Sequence, residues 1–489
     1  MSEKTEKPAE GPTYRLPTTG LWARAWQVSL AVAVVGLLGT VAFYDHQRFG
    51  YSWLFAVWTF LAPGLGGLFF ILAVSLTGAG WAVTPRRTAE FLLTGLPVVG
   101  LLFLPVLGHL DEVYPWTHYQ PGAAEHHEAG GEHHEEGEEH HDDGHHDDGH
   151  AEDADEHHGS LLGGVAYAQE GEHGGDHAAE GHGDDGHGDD GHGAGGHHDD
   201  PGHAMHAAIV ESKSAYLNPN FFMLRAFLYI LLWAGLAWFF ATSSSRMDSE
   251  KGYALTRRME SLAPPATMIF ALSLTFAAFD WVMSLEPSWY STIYGVQYFA
   301  VSVVSGLALM LLFLISFKRA GVLGEAVNME HFHDIGKLLF GFIVFWAYIS
   351  FSQFMLIWYA GIPEEAVYFH LRGRNGWENL TTLLIVAHFI IPFFILISRG
   401  AKRNLSILSF ASVWMLVIHV FECFWLVMPH ADAHESLTES VFRVQPLDVA
   451  ALFAVGGIYM TVVLWRMSQI PLIPIGDPRL GRALHHDGT

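Results

Sequence analysis

The chain has 489 residues, half of them hydrophobic, with 25 Lys and Arg against 51 Asp and Glu and a formal charge of −26. The acidity is local: residues 120–212 hold 26 acidic residues and no lysine or arginine, which leaves 25 acids against 25 bases elsewhere. That balance gives no footing for nucleic acid, and the single cysteine, Cys423, excludes an intrachain disulfide and any cysteine-ligated cluster or zinc ribbon.

Runs such as VSLAVAVVGLLGTVAF and SGLALMLLFLISF are apolar on every face and about 20 residues long, the length that crosses a bilayer's hydrocarbon core. The sequence therefore predicts an all-α polytopic membrane protein. A polar tail over 1–24 precedes spans at 25–44, 53–77 and 89–108. No small-residue cleavage site follows the first span, which reads as a retained signal anchor; VAYAQ, within the acidic region, lacks the long apolar run that a signal-peptidase site needs. A loop over 109–219 carries the acidic segment at about 120–212. Seven more spans are expected at 220–241, 265–285, 292–317, 335–360, 377–398, 405–428 and 447–466, followed by a tail over 467–489. TPRR, FKRAGVLGE and RGAKRN read as connections. With ten spans both termini share a side. The loops on that side hold 18 of the 25 bases, against five on the other (Arg48, Lys213, Arg372, Arg374 and Arg443), while Arg225 and Lys337 fall within spans. The positive-inside rule makes both termini cytoplasmic and the acidic loop periplasmic.

That loop holds 20 of the 32 histidines and the tandem DDGHGDDGHG. Such a composition buries too little apolar surface to offset the entropy of ordering, so a disordered external loop is expected. Loose binding of zinc, copper or nickel, electrostatic recruitment of a basic partner such as a cytochrome c, and proton buffering compete with an insertion of no specific role. The repeats lack the apolar residue of the calcium-binding nonapeptide.

Ionisable side chains within spans are costly, and each is a site hypothesis. Asp280 lies near Glu286 in the fifth span, His419 and Glu422 share one face of the ninth, His388 sits just before Pro392 in the eighth, and Ser350, Ser352 and Gln353 lie in the seventh. Asp334 and Lys337 form an i,i+3 pair toward the opposite surface. The set leaning to the outer half suits a half-channel for protons or a polar pocket for a quinone headgroup, while the alternative is hydrogen bonding that only holds helices together. His388 and His419 are also compatible with axial ligation of a b-type haem, and a divalent-metal transporter would use the same histidines with the loop.

Two stretches carry a family resemblance: FDWVMSLEPSWYSTIYG at 279–295 and DIGKLLFGFIVFWAYISFSQFMLIWYAGIPEE at 334–365. With ten spans, the chain resembles the ActF-type F subunits of bacterial alternative complex III, within the NrfD-like or polysulfide-reductase-type membrane subunits. The resemblance covers most of the chain outside the acidic loop, which departs from the family pattern. It implies two four-helix bundles with flanking helices, no redox metal in this subunit, and a place in a quinol:electron-acceptor oxidoreductase of the bacterial cytoplasmic membrane. The implied partners are a sister NrfD-like subunit that oxidises menaquinol, an iron–sulfur subunit, multi-haem and mono-haem cytochromes c, small membrane subunits and a terminal oxidase. It also implies a part in quinone contact or proton translocation. Asp280 and Glu286 match the first motif, and Gln353 and Glu364 the second. Gln353, Trp358 and Glu364 are then the quinone-contact candidates, and Asp280, Glu286, His388, His419, Glu422, Asp334 and Lys337 the proton-path candidates.

Overall fold

Among the described residues, ten helices are long and apolar enough to cross a membrane: α1 Leu21–Ala42, α2 His46–Thr77, α3 Val83–Leu107, α4 Pro219–Met247, α5 Ala254–Leu285, α6 Tyr294–Arg319, α7 Met329–Ala360, α8 Trp377–Leu396, α9 Leu405–His430 and α10 Pro446–Gln469. The computed structural model describes residues 14–118, 208–250, 252–431 and 440–486, and no strand occurs among them. The acidic His-rich segment lies outside the described residues.

Helix contacts close into two rings. The first runs α2–α3–α4–α5 and the second α6–α7–α8–α9, with α2 and α6 crossing between them; α1 packs on α10, which packs on α2. Ten expected spans and two four-helix bundles with flanking helices are therefore present. Lipid offers no hydrophobic drive between helices, so close approach depends on small residues. Where α2 meets α6, a Cβ on Gly66 would stand 2.0 Å from the Ser302 carbonyl oxygen, and one on Gly306 would stand 2.9 Å from the Gly66 Cα. Along α1 and α10, a Cβ on Gly36 would lie 2.2 Å from the Ala454 nitrogen, and one on Gly457 would lie 2.5 Å from the Ala33 nitrogen. Gly66→Val is expected to push the bundles apart and cost at least the ~1–3 kcal/mol of an overpacked core, read as a lower melting midpoint in detergent.

Several helices begin earlier than hydropathy predicts because their first turns bury charge against partners distant in sequence. α2 starts at His46, not 53, and Arg48 is buried there, bonded to Asp448 of α10 at 2.8 and 3.1 Å, with Ser52 donating to the same carboxylate at 2.6 Å. α3 starts at Val83, so TPRR is helix rather than connection. Arg86 and Arg87 are fully buried: Arg86 pairs with Glu90 at 2.8 Å and Asp477 at 2.9 Å, and Arg87 pairs with Glu90 at 3.2 Å and Asp248 at 2.9 Å. Arg479 adds bonds to Asp477 and Glu260. The segment after α10 is thereby clasped across the helix ends, where Leu472 also donates its backbone N–H to Tyr14 and Asn328 donates to the His486 carbonyl. The face carrying Tyr14 and His486 is called the terminal side below; that carrying residues 118 and 208 is the loop side.

Burial pushes the Asp477 carboxyl up, but Arg86 and Arg479 outweigh it and hold the group below the usual carboxylate range. A depressed carboxylate stabilises the fold above its unfolded pKa of ~4 and loses that contribution as pH falls through its lower folded value. Asp248, in the same cluster, is pushed up by burial against the pull of Arg87. The difference between Asp477→Asn and wild type is therefore the readout: it should be large at neutral pH and shrink below about pH 4, measured by thermal melting.

Candidate functional site in the second bundle

α8 is not a uniform helix. Pro392 has no N–H to give the His388 carbonyl, and residues Ile385–Ile390 open into a π-helical turn just before it. Trp414 of α9 fixes this turn by donating to the Ala387 carbonyl at 2.7 Å. The wider turn carries the His388 ring, 1% exposed, onto Trp346 of α7, stacked at 3.8 Å with 11° between planes. Trp346 Nε1 donates to Glu422 Oε1 at 2.5 Å, and the other oxygen, Oε2, lies 3.1 Å from His388 Nδ1. That last approach is close but poorly aligned for a hydrogen bond, so neither imidazole nitrogen has an aligned partner.

Helices α7, α8 and α9 thus each supply one member of a buried Trp–His–Glu centre. A histidine beside a glutamate has two arrangements without net charge, imidazolium with carboxylate or imidazole with carboxylic acid, which differ only in which atom holds a proton. Adding or removing a proton leaves one uncompensated charge in the membrane interior, a costly state that relaxes by passing the proton on. On α7, Ser350 and Gln353 follow Trp346 at i+4 and i+7, on one stripe of the helix, and both Ser350 Oγ and Gln353 Nε2 are buried without a partner among the described residues. The stripe runs about 10 Å toward the loop side.

His419 shares α9 with Glu422 but is turned to a different neighbour. Its Nε2 lies 2.9 Å from the Thr59 carbonyl of α2, and Cys423 Sγ lies 3.8 Å away, so the ring joins the two bundles. Among the described residues, no group of three or more His, Cys, Asp or Glu is arranged to hold a metal ion.

Asp280 lies apart, in the first bundle. It is fully buried and gripped by Arg225 of α4 through bonds of 2.8 and 2.9 Å, and Tyr229 donates to it at 2.8 Å. Arg225 is in turn covered by the Tyr216 ring at 3.9 Å. Asp280 therefore sits in a closed ion pair, separated from His388 and Glu422.

Glu286 follows α5 at the loop side, buried, with Ser288 donating to Oε1 at 2.5 Å. Lys213 nearby is bonded to the Pro287 carbonyl at 2.6 Å; burial lowers its pKa against the pull of Glu286. Here the two motif stretches meet. Trp289 Nε1 donates to the Glu365 carbonyl at 3.0 Å, and the Trp289 ring stacks on Tyr368 at 4.0 Å. Gly361, in the left-handed conformation at φ 62°, ends α7 and turns the chain into the short helix Pro363–Leu371. Arg372 then lies buried beneath Tyr368 at 3.6 Å and donates to the Trp425 and Leu426 carbonyls at 3.1 and 3.0 Å, capping the end of α9. Of the quinone-contact candidates, Gln353 points inward and is 4% exposed, whereas Trp358 is 71% exposed on the outside of α7. Glu364 is in the short helix, and its side chain lies outside the described residues. Asp334 and Lys337 pair at 2.7 Å on the terminal side, with His486 2.6 Å from the same carboxylate.

Sequence reasoning missed Trp346, because a tryptophan in an apolar helix carries no periodic signal. Arg225 had one: a guanidinium within a span and with no carboxylate on its own helix requires a partner on another, and Asp280 lies within the next span, near the same loop-side end. No protein-family profile matches this chain, and no curated protein matches it. The fold and the site together define an all-helical, multi-pass membrane protein that encloses a histidine–glutamate pair in its second bundle.

Proposed function

We propose that this chain is the proton-handling membrane subunit of a quinol-oxidising respiratory complex and passes electrons through no centre of its own. The observation that carries the reading is the buried His388–Glu422 pair, with Ser350 Oγ and Gln353 Nε2, buried and without partners among the described residues, running from it toward the loop side. Quinol oxidation releases two protons, and a neighbouring subunit that accepts them needs a group of this kind within the membrane. The resemblance to F subunits of alternative complex III supports the assignment, with a sister quinol-oxidising subunit, an iron–sulfur subunit and c-type cytochromes as partners. In this reading the protein lies in the bacterial cytoplasmic membrane with both termini inside, and menaquinone is the substrate of the complex.

The test is purification from the native membrane in mild detergent, followed by mass spectrometry and a reduced-minus-oxidised spectrum. Co-purification of c-type haem, an iron–sulfur protein and a second NrfD-like chain is expected. Recovery of the chain alone, colourless and loaded with zinc or nickel, would overturn the reading in favour of a metal carrier.

A further inference from the structure

At the loop side, where α7 ends, a cleft of about 230 Å³ opens between α7 and the short helix Pro363–Leu371. Phe354, Ile357, Trp358 and Phe369 form its apolar walls, and His370 and Arg374 form its polar rim. The cleft is smaller than the roughly 300–1,000 Å³ of sites that enclose a whole organic ligand. It fits one headgroup, with the rest of the molecule outside.

The charge of the rim sets the sign of that headgroup. Five bases belong to the loop-side connections and adjoining helix ends, of which Arg443, exposed before α10, does not line the cleft. Arg48 is paired with Asp448, Lys213 is bonded to the Pro287 carbonyl, and Arg372 is spent on the carbonyls of α9. The Arg374 side chain is exposed and, like that of His370, has no hydrogen-bond or ion-pair partner among the described residues. A guanidinium and an imidazole four residues apart, over aromatic walls at the end of a membrane helix, complement a phosphate diester with an acyl chain below it. Trp358 and Tyr359, 71% and 84% exposed, place this end of α7 at headgroup depth, where amphipathic rings gather.

We propose that this cleft is a binding site for a single anionic phospholipid, its phosphate on Arg374 and His370 and its acyl chain along Phe354 and Trp358. The site is independent of the proton-handling centre and stands whether or not that reading holds.

Purified full-length protein would be exchanged into nanodiscs of equal phosphatidylglycerol and phosphatidylcholine, and the lipid retained on release would be read by native mass spectrometry. One phosphatidylglycerol per chain is expected. Its retention should fall by about five-fold in Arg374→Gln, from the ~1 kcal/mol that one Lys or Arg contributes near a lipid surface, and further when His370→Gln also removes the imidazole N–H donor. Trp358→Ala should also reduce retention, since it removes the acyl-chain wall and leaves the polar rim of Arg374 and His370. Equal retention of the two lipids, or no change in the double variant, would overturn the proposal. So would displacement of the lipid by millimolar inorganic phosphate together with indifference to Trp358→Ala, because the site would then read free phosphate. All three side chains are exposed, so the variants should keep the wild-type melting midpoint.

Discussion

Replacing Glu422 by glutamine should uncouple proton movement from quinol oxidation in the intact complex. The substitution keeps shape and volume, and it keeps an oxygen that accepts from Trp346, so the three-helix junction stays closed. What it removes is the carboxylate 3.1 Å from His388, the group that the proposed function takes as a proton carrier. Proton passage through the subunit should slow on the order of 10²-fold, the low end of what a positioned acid–base group contributes. Quinol oxidation, which takes place elsewhere in the proposed complex, should change far less. The measurement is the proton-to-electron ratio in proteoliposomes after a pulse of quinol. His388→Gln should give the same result. Trp346→Phe, which keeps the ring over His388 and loses only the donated hydrogen bond, should give a smaller one. An unchanged ratio in both Glu422→Gln and His388→Gln would sink the proton role of this centre.

The ten spans were legible because lipid imposes a simple demand: about 20 apolar residues and every backbone group bonded within the helix. The ends were legible only where charges face water. At Arg48, and at Arg86 and Arg87, hydropathy reads a connection, whereas the helix continues because Asp448, Glu90, Asp477 and Asp248 neutralise the guanidiniums in the interior. Three of these four carboxylates lie more than 150 residues away in sequence, so only the fold brings them together. The candidate site was legible residue by residue but not as a constellation. Glu422 and His388 stood out as ionisable groups in apolar helices, and the π-turn beside Pro392 decides which way His388 points. The i,i+3 rule placed His419 beside Glu422, yet the bundle interface gives the first to Thr59 and the second to Trp346. Trp346, with no charge and no spacing signal, could be found only through the pair that it holds.

Asp280 and Arg225 put the distinction between anchor and proton carrier to a direct test. In Asp280→Asn the buried guanidinium loses its counter-charge while Tyr229 and the Tyr216 carbonyl remain, and breaking a buried pair from one side costs roughly 3–5 kcal/mol. That variant should melt well below wild type in detergent and give less protein in the membrane. Removing both charges together, as Asp280→Leu with Arg225→Met, takes away the desolvation cost along with the attraction, and such replacements are often neutral or stabilising. The double variant should therefore recover most of the stability lost in the single one. If Asp280 serves only to lock α4 to α5, the recovered variant should also keep the wild-type proton-to-electron ratio, because the His388–Glu422 centre in the other bundle is untouched. Two results would count against the anchor role: an Asp280→Asn midpoint indistinguishable from wild type, or a stable double variant whose proton-to-electron ratio falls as far as that of Glu422→Gln. The second result would place Asp280 on the proton route, with Arg225 holding its charge in place rather than its helix.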